Sequence, residues 1–248
     1  MYAYLSRATA LTALCILLPL AALARQPVEV QIYDRSSGEE LPVYWHRGER
    51  YVSGEPGHEY EVRIRNRGEG RILAVTSVDG VNVITGGTAA PSQSGYVLDP
   101  YGEVRIDGWR KSMDEVAAFY FTSLPDSYAA RTGRPDNVGV IGVAVFAERR
   151  VHPEPLQERN EQGAADAAAP SASASRESKA ARLGTGHGQR HDSGATYTSF
   201  ERASAEPEAV IRVFYDSRRN LVAQGVIPRG RHVRNVPDPF PGGFVPDP

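Results

Sequence analysis

Between Val28 and Glu148, apolar and polar side chains alternate in short runs separated by turn residues. Val28-Glu29-Val30-Gln31-Ile32 and Tyr60-Glu61-Val62-Arg63-Ile64-Arg65-Asn66 have the period of two that places one face of a strand inward and the other in water. Leu41 to Trp45, Gly95 to Leu98, Val104 to Trp109 and Val116 to Thr122 supply further strands, and the nearly all-apolar run Val138 to Phe146 predicts a strand in the middle of a sheet. The centre of the pattern is Leu73 to Gly87, LAVTSVDGVNVITGG. Asp79-Gly80 between β-branched runs predicts a hairpin closed by a two-residue type I′ turn. That turn sets Val78 opposite Val81 and Thr76 opposite Val83 on one face, with Ser77 opposite Asn82 and Val75 opposite Ile84 on the other. Only Ser127 to Thr132 reads as helical. The expected fold is all-β: an antiparallel β-sandwich over residues 25–150, with a C-terminal β-hairpin joined through a disordered linker.

The linker is a change of composition. From Gln157 to Gly194 the only large apolar side chain is Leu183, and such a stretch buries too little surface to offset its ordering entropy, so 151–195 is expected to be disordered. Residues 196–230 are expected to hold the hairpin: Ala209 to Tyr215 as one strand, Asp216 to Asn220 as the turn, Leu221 to Ile227 as the other. An isolated hairpin is unstable, so it should dock in cis on an edge or open face of the first domain. Residues 231–248 repeat Val-Pro-Asp-Pro at Val236 and Val245 and are expected to form a Pro/Gly-rich disordered tail outside any ladder.

The first residues alter the setting. Arg7 precedes a small and apolar run from Ala8 to Ala24, and Ala22-Leu23-Ala24 followed by Arg25-Gln26 has the layout of a signal peptide (1–24) cleaved between Ala24 and Arg25. Export to the periplasm or beyond is the expectation, with no transmembrane segment after cleavage. Cys15 is the one cysteine, so the mature chain would carry neither disulfide nor thiol nucleophile. The formal net charge of −2 leaves no electrostatic footprint for nucleic acid.

Candidate chemistry is sparse. His187, His191 and Asp192, in GTGHGQRHD, have ligand types suited to zinc, but Gly184, Gly186 and Gly188 argue against the helix that would put both imidazoles on one face. The same glycines lack the Lys-Ser/Thr of a phosphate loop. Trp45 and Trp109, with Tyr44, His46, Tyr51 and Arg110 nearby in sequence, are candidates for an aromatic platform that binds a sugar or a partner. Alternation puts Tyr44 and Trp45 on opposite faces. Asp99, Glu103, Asp107, Asp114 and Glu115 could supply a glycosidase pair, yet no spacing selects one. No Gly-x-Ser-x-Gly elbow is present.

The blocks SVDGVNVITGG, RLGTGHGQRH and VFYDSRRNLVAQGVI resemble exported proteobacterial proteins with no assigned activity. The resemblance implies one recurring architecture and transfers no catalytic or binding residue. The functional expectation is therefore an exported, non-enzymatic β-sandwich that binds an unknown protein or glycan partner in the cell envelope or contributes to envelope structure, with no cofactor. A metal-binding protein or metal-dependent hydrolase using His187, His191 and Asp192 is the alternative, and a carbohydrate-binding module the second.

Overall fold

The computed structural model describes residues 27–150 and 182–229. The signal peptide with its Ala24–Arg25 junction, most of the expected linker and the Pro/Gly-rich tail lie outside the described residues. The chain runs through β1 (Val28–Asp34), β2 (Glu39–Glu40), β3 (Tyr44–His46), β4 (Glu49–Gly54), β5 (Glu59–Asn66), β6 (Ile72–Val78) and β7 (Val81–Asn82). It continues through β8 (Tyr96–Leu98), β9 (Glu103–Ile106), β10 (Gly108–Arg110), β11 (Glu115–Ser123) and the single-turn helix α1 (Tyr128–Arg131). After β12 (Val140–Ala147) come β13 (Leu183–Asp192), β14 (Ala209–Ser217) and the helix α2 (Arg218–Ala223).

These strands form two sheets. The first has the order β10-β11-β5-β1-β2, with β13 also on β11 and β9 on β5; the second has the order β3-β4-β14-β12-β6-β7, with β8 on β6. The alternation read in β1 is the burial observed: Val28, Val30 and Ile32 are inside, and Glu29 and Gln31 are half-buried. Inward residues of both sheets, among them Ile32, Ile64 and Phe119 from the first and Val52, Ile141 and Val213 from the second, belong to one hydrophobic cluster.

The hairpin at Asp79-Gly80 forms with φ of 53° and 73° at its two central residues, the left-handed pair a type I′ turn requires. Val78 stands opposite Val81 and Ser77 opposite Asn82. The second arm then stops short. Asn82 Oδ1 accepts from the amides of Ile84 (2.8 Å) and Thr85 (3.0 Å), and this Asx turn bends the chain out of the ladder before Ile84 can face Val75.

Three expectations for the C-terminal half are corrected. Leu183–Asp192, placed in the linker, is a ten-residue strand paired antiparallel with the whole of β11. Its glycines are compatible with that place because neighbours fill the space a side chain would need. A Cβ on Gly184 would sit 2.6 Å from the Ser127 Cβ, and one on Gly186 would meet the Tyr120 ring. Second, β14 does not add to an edge. It lies between β12 and β4, antiparallel to the first and parallel to the second, so the sheet is not wholly antiparallel. Third, the expected return strand is α2. Ser217 Oγ accepts from the Asn220 amide, and Gly225 (φ 75°) ends the helix with its amide on the Val222 carbonyl and the Val226 amide on that of Leu221, a Schellman closure. Leu221 and Val226 then bury against Tyr44 and Tyr51, which makes the turn a docked element.

Gly184→Ala should lower stability by about 1–3 kcal/mol, because the Ser127 side is buried and cannot retreat. Gly186→Ala should cost less, since the half-buried Tyr120 ring can swing aside. Urea denaturation of the two variants measures the order; equal losses would contradict this packing.

Candidate functional site

The turn residue Asp79 is 1 % exposed and lies where the two sheets meet. Its Oδ1 accepts from the Tyr215 hydroxyl at 2.5 Å and the Gly139 amide at 2.9 Å, and its Oδ2 accepts from the Thr185 amide at 2.8 Å. Tyr215 spends its proton on Asp79, so its oxygen accepts from Thr185 Oγ1 (2.6 Å), which in turn accepts from the Tyr60 hydroxyl (2.6 Å). The result is a buried, directed chain from Tyr60 to Asp79, roofed by the stacked rings of Tyr60 and Phe121, whose centroids are 4.3 Å apart. Burial raises the Asp79 pKa to about 6 against the pull of its donors, and burial beside that carboxylate raises both tyrosines well above their usual value.

A second carboxylate works at the same edge. Asp216 Oδ1 accepts from the amides of Leu183 (3.2 Å) and Ser217 (2.7 Å) and from Asn220 Nδ2 (2.8 Å), and its Oδ2 from Gln224 Nε2 (3.3 Å). Beside it opens a cleft of about 960 Å³ between α2, the end of β14, the 3-10 turn Pro135–Asn137 and the start of β13. The rings of Tyr51 and Phe214 stack at 5.4 Å and form one wall, and the exposed Arg47 and Arg182 stand on its rim with Asp136. An aromatic wall with guanidinium groups at the mouth suits an extended ligand with apolar and anionic groups.

The expected metal ligands are not brought together. Gly188 and Gln189 face the single residue Ala118, a β-bulge that reverses the side taken by the residues after it. His187 lies against the Tyr128 ring (5.5 Å), where burial first, then Lys111, lowers its pKa. His191 Nε2 is 2.8 Å from Asp107 Oδ2, and Asp192 is exposed opposite Glu115. Among the described residues no group of three His, Cys, Asp or Glu is placed to hold a metal.

The two tryptophans separate as well. Trp109 is 3 % exposed and donates Nε1–H to the Gly186 carbonyl (3.2 Å), whereas Trp45 is 64 % exposed with the Arg50 guanidinium 5.1 Å from its ring centre. Tyr44 packs under α2, on the face opposite Trp45, as alternation requires. Glu103, Asp99 and Glu115 pair with Arg105, Arg71 and Arg190, not with one another. The cleft and the Asp216 network were missed from sequence; the available signal was Ser217 as helix cap with Gly225 as helix stop.

The raised pKa of Asp79 has a definite sign in stability. A buried acid whose pKa is higher folded than unfolded binds more protons in the folded state, so its contribution falls as pH rises from about 4 to about 6, by about 3 kcal/mol. Asp34 acts oppositely and lower. Burial would raise its pKa, but His58 and the Ser36 and Ser37 amides outweigh that and lower it, so its stabilisation is lost only below about pH 4. Denaturation from pH 4 to 6.5 should therefore show a decline that Asp79→Asn removes; an unchanged slope in the variant would refute the assignment. The chain matches no family model, no curated protein and no solved structure.

Proposed function

We propose that this is an exported, non-enzymatic binding protein whose two sheets stack as a β-sandwich and whose cleft between α2 and β13 receives a partner in the cell envelope. The observation that carries the reading is the cleft itself, with the Tyr51–Phe214 wall and the Arg47 and Arg182 rim. The signal-peptide pattern of residues 1–24 supports export, and the formal charge of −2 supports a partner other than nucleic acid. Among the described residues no helix is long and apolar enough to cross a membrane. The pairing of Asp107 with His191, and of Asp99, Glu103 and Glu115 with arginines, supports a binding role over hydrolysis.

Arg47→Glu and Tyr51→Ser should each abolish retention of envelope proteins by the immobilised protein while leaving the thermal transition of the Arg47 variant unchanged. Retention equal to that of the unaltered chain in both would overturn the reading.

A second reading rests on Trp45, a large exposed aromatic face with Arg50 over it. If glycans stack there, they should quench tryptophan emission, and Trp45→Ala should remove the response because Trp109 is buried. Titration with glycans that leaves the emission unchanged would end this reading.

A further inference from the structure

The cleft lies beside the point at which the chain leaves the described residues. Val226 lines it, Ile227 is 3 % exposed against the cluster that holds Tyr44 and Tyr51, and the described residues end at 229. The sequence beyond ends in Val-Pro-Asp-Pro-Phe-Pro-Gly-Gly-Phe-Val-Pro-Asp-Pro, residues 236–248. This segment has no cation. It carries Asp238 and Asp247, with Phe240, Phe244 and five prolines between and around them.

Each of these features has a counterpart in the cleft. Phenyl and pyrrolidine rings pack on aromatic faces such as Tyr51 and Phe214, and carboxylates pair with guanidinium groups such as Arg47 and Arg182. Prolines bring no N–H to desolvate and have φ already fixed, so an extended segment of this kind loses little entropy on docking. Val236 lies seven residues beyond Arg229, a reach of roughly 23 Å at full extension. So short a tether gives an effective concentration on the order of millimolar and favours docking within one molecule.

We infer that residues 236–248 of the same chain occupy the cleft and act as a built-in competitor for the external partner. The inference rests on the cleft being a binding site and gives the partner its chemistry: an extended, acidic, proline-rich peptide that must displace the tail.

The test uses the full chain and a fluorescein-labelled peptide with the sequence of residues 236–248, followed by anisotropy. Phe240→Ser with Phe244→Ser, made in the chain, should tighten peptide binding about tenfold by removing the internal competitor. Adding Arg47→Glu and Arg182→Glu should reverse that gain. Equal affinity of the native and tail-altered chains overturns the inference; if that binding still depends on Arg47, the cleft remains a peptide site and only the occupant is refuted. Peptide binding that weakens as the native protein is concentrated places the tail of a second copy in the cleft, and overturns docking in cis.

Discussion

An edge strand carries backbone amides with no ladder partner, and in this fold two carboxylates from the other sheet take them up. Asp79 receives the amide of Thr185 and Asp216 that of Leu183. Without them the buried start of β13 would leave unpaired donors inside the protein, at a cost of about 1–3 kcal/mol each. The same two side chains also hold what surrounds them. Asp79 anchors Gly139 and Tyr215, and Asp216 gathers Ser217, Asn220 and Gln224. The edge is thereby closed against further strand pairing at this end, with the Trp109 indole on the Gly186 carbonyl completing the closure.

That arrangement explains why the cleft stands where it does. Its wall α2 is tied through Asn220 and Gln224 to Asp216, and through Asp216 to β13. Leu221 and Val226 fix its other side on Tyr44 and Tyr51. The concave surface is thus preformed by buried polar bonds and an apolar cluster, which limits the entropy a ligand must remove. Trp45, on the opposite face of its strand from Tyr44, belongs to a separate surface.

The first half of the fold was legible because period-two alternation and the Asp79-Gly80 turn are local signals. They located β1, β5, β6 and β12 and the Val78–Val81 register. What was not legible depends on distant partners. The run Leu-Gly-Thr-Gly-His-Gly does alternate, but its large residues are few, and only Tyr120 and Ser127 reveal why glycine suits the other face. His187 and His191 looked like one ligand set because spacing alone does not disclose a bulge. Asp79 read as a turn former, which it is; its second role needed Thr185 and Tyr215, more than a hundred residues away. At α2, Ser217 and Gly225 are the local cap and stop, and the helix is completed by the docking of Leu221 and Val226 on Tyr44 and Tyr51, which are remote in sequence.

The interior position of β14 bears on when the protein can fold. β4 has no inner neighbour until β14 arrives, and Arg50 pairs with Val213 across most of the chain. The Asp79 carboxylate likewise waits for Thr185 and Tyr215. Contacts so remote in sequence make for slow folding. A chain with this topology cannot complete its second sheet until β14 has been made, so the pairing of β4 is decided by residues far beyond it in sequence.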